Sequence, residues 1–267
     1  MLAALVKSSA LVFVLCSLPC QNGAMSASAT ARERVRAELV AEIKDAARRQ
    51  LAVDGAEGLS LRAVARELGM VSSAIYRYFP SRDDLLTALI IDAYTAMGEA
   101  AEAAFQNARD PRAKWRAVYR AVRGWARDHP REYALLYGSP VPGYRAPADT
   151  VAPATRVAGL LVELIRDCWT AGTLTTAAEG PPLSATLRDQ AARVARALAP
   201  ELPAPVIVRA VIAWTQLYGM ISFELFGHLV GSVDPSEEFF NHATEQLANF
   251  VGIPASHQGR RGRRRDN

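Results

Sequence analysis

SLRAVARELGMVSSAIYRYFPSRDDLL, residues 60–86, decides the fold. Two short helices that cross at a tight turn need a shared apolar core, a small residue where they approach, and a residue free to turn the backbone. Val64, Leu68, Met70, Ile75 and Tyr78 supply that core in this stretch, Ala65 is the small residue, and Gly69 makes the turn. Ser60 is placed to cap a helix through Leu68, and Ser72 starts a second helix that ends before Pro80. Ser81-Arg82-Asp83-Asp84 then opens a further helix, its cap and two acids complementing the helix dipole.

With Ile75 and Phe79 turned inward, Ser73, Ala74 and Arg77 point away, and Ser72 and Tyr76 lie along the flank. Such a face fits a DNA major groove. Arg77 can bond a guanine edge bidentately or hold a phosphate, Ala74 can touch a thymine methyl, and the serines can bond base or phosphate. Ser60, Arg62 and Arg82 are the remaining candidates for backbone contact. The plainer alternatives are a solvated charge at Arg77 and a structural ring at Tyr76, with Tyr78 and Phe79 in the core.

Outward from this stretch the chain reads as all-α. Val35, Leu39, Val40, Ile43, Ala46, Ala47 and Leu51 recur at helical spacing, which predicts an amphipathic helix over 31–53, stopped by Asp54-Gly55 and Gly58. The helix opened at Ser81 should run toward Ala108. Further helices are expected over 111–128, 130–137, 151–171, 183–199, 205–229 and 235–251, with proline at or near several starts. Loops rich in glycine and proline fall at 138–147 and 172–182. The expected domains are a DNA-binding head over 25–86, a helical effector-binding and dimerisation domain over 87–253, and an arginine-rich tail over 254–267.

Charge divides along the same lines. From Met25 to Arg82 there are ten basic and seven acidic residues; from Asp83 to Gln258 there are fifteen and nineteen. A basic module on an acidic body suits a polyanion-binding head. Residues 1–24 carry Lys7, an apolar run from Ala10 to Leu18 and small residues at Gly23-Ala24, which resembles an export signal. Export would part a DNA-binding protein from its operator, so translation is expected to start at Met25, with a disordered or cleaved leader over 1–24 as the alternative. The apolar run is too short for a membrane anchor. Cys16 and Cys20 fall in this leader and only Cys168 lies beyond it, which fits a reducing cytoplasm and no disulfide framework.

Residues 60–85, with the helix before them, resemble the DNA-binding signature of the tetracycline-repressor (TetR) family, Arg82 standing where that family usually has lysine. His129-Pro130-Arg-Glu-Tyr133, Tyr137-Gly-Ser-Pro140, Trp214-Thr-Gln-Leu-Tyr-Gly219 and Ser222-Phe-Glu-Leu-Phe-Gly-His228 resemble the family's WHG-type C-terminal domain, with Tyr218 in place of its histidine. The resemblance implies a homodimer that binds a near-palindromic operator, usually as a repressor, and an unknown small-molecule effector that changes the spacing of the two heads. Trp115, Trp125, Tyr133, Tyr137, Trp169, Trp214 and Tyr218 are the candidate effector contacts; plain core packing is the alternative for each. The helices over 205–229 and 235–251 are the expected dimer seam, through Ile212, Leu217, Ile221, Leu225 and Leu229.

No G-x-S-x-G elbow, P-loop, dinucleotide-binding glycine pattern or H-E-x-x-H occurs, so an enzyme is not expected. Glu224 with His228, and Glu238 with His242, have the spacing of metal ligands, but helix-surface pairs are the simpler reading. No metal or other cofactor is expected. The rival function is sequence-indifferent nucleic-acid binding through the arginine tail, which salt dependence and deletion of Arg260 to Arg265 would separate from operator binding.

Overall fold

A computed structural model describes residues 31–175 and 181–255. The leader, the arginine-rich tail from residue 256 and part of the 172–182 loop lie outside the described residues. Within them the chain forms ten α-helices and one 3-10 helix, with no strand. The helices are α1 (Ala31–Asp54), α2 (Leu61–Glu67), α3 (Ser72–Ile75), α4 (Arg82–Asn107), α5 (Pro111–Asp128), α6 (Pro130–Tyr137), α7 (Val151–Thr170), α8 (Ala185–Leu198), α9 (Ala204–Leu225) and α10 (Glu237–Val251). The all-α expectation holds.

Packing divides the chain into two units. One extends as far as Gly98 and includes Trp125–Arg156; the other comprises Glu99–Gly124 and the chain from Val157. These divisions do not fall at residue 86, because α4 continues through Gly98 inside the first unit and the segment carrying α6 returns to it.

In the first unit, Ile43, Ala46, Ala47 and Leu51 of α1 meet Leu61, Val64 and Ala65 of α2, Ile75 of α3, Phe79, and Leu85, Leu86 and Leu89 of α4, all buried. Alanines at the close approaches let the helix backbones come together, while each larger side chain contributes about 1.5–3 kcal/mol on burial. Asp92 on α4 accepts from Lys44 at 2.9 Å and from Arg48 at 2.8 Å, which ties α1 to α4. The apolar face of α1 starts later than its spacing predicts: Val35 is 62 % exposed, and Leu39 and Val40 are half-buried, because the first turns extend past the three-helix core. Leu68, Met70 and Tyr78 are likewise half-buried rather than core. On the far side, the Tyr144 hydroxyl meets Thr87 at 2.9 Å and holds the 138–147 loop on α4.

The second unit is built around Trp115, Tyr119 and Phe240, with Trp115 and Tyr119 stacked 4.7 Å apart. The Trp115 indole donates to the Thr244 carbonyl and the Tyr119 hydroxyl to the Ala213 carbonyl, so both rings are buried with their polar atoms satisfied. Arg112, 3 % exposed, donates to Asn249 Oδ1 and to the carbonyls of Glu245, Ile253 and Pro254. It thereby satisfies the Ile253 and Pro254 carbonyls, which lie past the end of the α10 ladder. Arg123 forms a two-pronged pair with Glu224 at 2.7 and 2.9 Å, which commits the carboxylate considered above for a metal. No cluster of three or more potential metal ligands occurs among the described residues.

Helix α9 is, among the described residues, the one helix long and apolar enough to cross a membrane. Its length serves packing: Val206, Ile207, Ala213, Leu217, Tyr218 and Ile221 are buried, and α8 and α10 both pack on it. It ends at Leu225 rather than Leu229, since Gly227 turns the chain with a φ of +80°. Leu217 and Ile221 therefore belong to the unit's own core, a correction to the expected seam, whereas Ile212 is exposed.

Candidate nucleic-acid interface

The turn between α2 and α3 is closed by backbone bonds that only a left-handed residue permits. Gly69 has a φ of +65°, its amide donates to the Arg66 carbonyl, and the Met70 amide donates to the Ala65 carbonyl. This crossed pair is the Schellman ending, and a side chain at Gly69 would strain it. The Ser60 hydroxyl accepts from the Ala63 amide at 3.4 Å, capping α2 at its other end. Helix α3 has only four residues and continues as a turn, bonded from Tyr78 and Phe79 back to the Ile75 carbonyl.

Burial sorts this segment into two faces. Ile75 is fully buried and Phe79 nearly so; Ser72, Ser73, Tyr76 and Arg77 are exposed, and Ala74 is half-buried. The Arg77 guanidinium has no ion-pair or hydrogen-bond partner among the described residues, and the same is true of Arg62 on α2. A face of hydroxyls, one phenol and free guanidinium donors can bond base edges and phosphate oxygens.

Arg82 behaves differently from the expectation of a phosphate clamp. Its guanidinium donates to the Ala56 carbonyl at 2.6 Å and to the Leu59 carbonyl at 3.2 Å, and lies 3.6 Å from Asp83. The loop before α2 has unbonded carbonyls near the start of α4, and a half-buried cation satisfies them. Arg82 thus braces the loop that presents Ser60. Arg36 of α1 was missed by sequence reasoning: it donates to the Arg77 carbonyl at 3.4 Å and its guanidinium lies 5.1 Å over the Tyr78 ring.

The effector candidates separate between the units. Trp125, Tyr133 and Tyr137 lie in the first, with Trp125 stacked 5.1 Å from the His129 ring and Tyr133 packed on Tyr137. Trp115, Trp169, Trp214 and Tyr218 lie in the second, where Trp169 is partly exposed and Trp214 meets Tyr218 edge-on. Trp115 is core, as its satisfied indole shows. The buried indole nitrogens of Trp125 and Trp214 find no acceptor among the described residues. A cleft in the first unit, lined by residues including Leu51, Asp54, Arg131 and Leu135, contains none of the seven aromatics.

A helix-turn-helix with this outward face, carried on an all-helical chain, defines a class: DNA-binding transcriptional regulators. Within that class the chain belongs to the tetracycline-repressor (TetR) family. Residues 43–89 match the family model for bacterial regulatory proteins of the tetR family, and residues 115–247 match that for the tetracyclin repressor-like C-terminal domain. The chain is 41 % identical over 253 residues to the HTH-type transcriptional regulator Rv1816 of Mycobacterium tuberculosis and to Mb1846 of Mycobacterium bovis, covering 89 % of this chain and all of each relative. Among solved structures, the protein SCO4313 is 35 % identical with a TM-score of 0.69 over 82 % of this chain and all of that one. A protein from Rhodococcus sp. RHA1, 23 % identical, shares the fold with a TM-score of 0.61 over 90 % of this chain and all of that one.

Proposed function

We propose that the chain is a cytoplasmic repressor that binds a palindromic operator as a homodimer and is released by a small-molecule effector. The observation that carries the operator reading is the exposed Arg77, unpartnered among the described residues, above an inward-facing Ile75. Ser72, Ser73, Ala74 and Tyr76 read or line the groove beside it, and Arg62 and the capped start of α2 meet the DNA backbone. Two heads on a dimer reach successive major grooves when their centres lie about 34–36 Å apart, so a modest change in the body spoils both contacts. An effector can achieve that only through its different affinity for the two states. The buried, acceptor-less indole of Trp214 supports an effector that carries a hydrogen-bond acceptor.

The test is binding to a duplex that the wild-type protein selects from genomic fragments, measured beside a scrambled duplex of equal length. Arg77→Ala should weaken the selected duplex by about 1–3 kcal/mol and leave the scrambled one nearly unchanged. Equal losses on both would reject the assignment. Deleting Arg260 to Arg265 should weaken both duplexes alike; if that deletion alone abolished binding, the tail-driven reading would replace this one.

A further inference from the structure

The recognition segment is short of internal bonds where it matters most. Helix α3 closes after four residues, and Pro80 has no amide to offer the carbonyls before it. The Arg77 carbonyl accepts no backbone amide among the described residues. Its donor comes from 41 residues away in sequence, the Arg36 guanidinium on α1. The carbon of the same guanidinium lies over the Tyr78 ring, 5.1 Å from its centroid. One side chain therefore grips both sides of the peptide that follows the Arg77 Cα atom. Ile75 and Phe79 fix the inner face of the segment through burial, while Arg36 fixes its outer end.

We propose that Arg36 is a positioning residue for operator reading: it holds the turn over 76–78 so that Arg77 is presented to the base edges in one orientation. This rests on the assignment of Arg77 as the base-reading side chain. Arg36 acts through Arg77 and Tyr78, and its own contact with DNA is not required. Lysine does not replace it, because its single compact ammonium lacks the forked spread by which one guanidinium nitrogen reaches the carbonyl while the guanidinium carbon stays over the ring.

The experiment uses the full chain, the same two duplexes and single-base-pair variants of the selected one, with Arg36→Ala, Arg36→Lys, Tyr78→Leu, Arg77→Ala and the double variant Arg36→Ala/Arg77→Ala. Circular dichroism confirms that each variant keeps its helix content and thermal midpoint. Arg36→Ala should bind the selected duplex about fivefold more weakly, the scale of an exposed cation–π contact. Its affinity for the scrambled duplex and its salt dependence should stay at wild-type values. Preference should relax at the same base pairs as in Arg77→Ala, Arg36→Lys and Tyr78→Leu should show the same loss, and the double variant should be no weaker than Arg77→Ala alone. The opposite pattern overturns the proposal: loss on both duplexes, a salt slope lower by about one, restoration by lysine and additivity with Arg77→Ala together mark a phosphate contact. Should Arg77→Ala leave base preference intact, the reading of Arg77 itself fails, whatever Arg36 does.

Discussion

The Tyr94 hydroxyl is buried in the first unit, edge-on to the Tyr137 ring at 6.2 Å. Burial pushes its pKa up to about 12, more than the hydrogen bond with Tyr137 pulls it down. The folded state therefore holds this proton more tightly than the unfolded chain, where tyrosine titrates near 10. Its stabilisation is fully present below pH 10 and is lost as the pH rises toward 12, on the order of 2–3 kcal/mol. Urea midpoints should fall through that window, and Tyr94→Phe should flatten the fall; an unchanged slope in the variant would show that Tyr94 does not carry it. Sequence can reveal such a residue as core, since Tyr94 sits at helical spacing from Ile90 and Met97, but cannot give the depth of burial that sets the titration. The same divide runs through the interface. Which of residues 72–79 face in or out follows from local helical geometry and could be read directly. The carbonyls that Arg82 bonds lie 23 and 26 positions away and the one that Arg36 bonds lies 41 positions away, and a charge carries no mark of the carbonyl it will bond.

Among whole elements, helix starts and stops were mostly readable because caps, glycines and prolines act within one turn. The start of α8 shows the mechanism: Ser184 accepts from the Leu187 amide, so the helix begins at Ala185 and not at Leu183. Gly252 shows what local reading leaves out. It ends α10 with a φ of +97°, and a Cβ placed on it would stand 2.1 Å from the Thr175 carbonyl oxygen, whose own amide bonds the Gly252 carbonyl at 2.9 Å. Left-handed strain alone costs about 1–2 kcal/mol, and here a backbone atom blocks relief. Gly252→Ala should thus cost about 2–4 kcal/mol by denaturant melting. At Gly69, where the φ is also positive, nothing lies within 4 Å, so Gly69→Ala should cost only the strain. Equal losses at the two sites would show that the contact with Thr175 yields readily.

For the molecule as a whole, one head on one chain reads half of a two-fold operator, so the proposed function needs a second copy. The second unit offers a surface for it. Val211, Ile212 and Phe223 of α9 and Phe239 and Phe250 of α10 are exposed, Phe223 by 55 %. Monomeric proteins rarely leave so many large apolar groups in water on two adjoining helices, and under the proposed function a second copy of the same face would cover them with two-fold symmetry. These residues lie on the helices expected to form the seam, but Leu217 and Ile221 are already spent on the unit's interior. Phe223→Glu should hence leave the helix content of the full chain nearly intact while splitting the proposed dimer, as light scattering at micromolar concentration would register. Operator affinity should fall more than about tenfold, since the second head no longer binds at the effective concentration its partner provides. A wild-type chain that scatters as a monomer, or a Phe223→Glu variant that stays dimeric with full operator affinity, would place the contact between copies elsewhere.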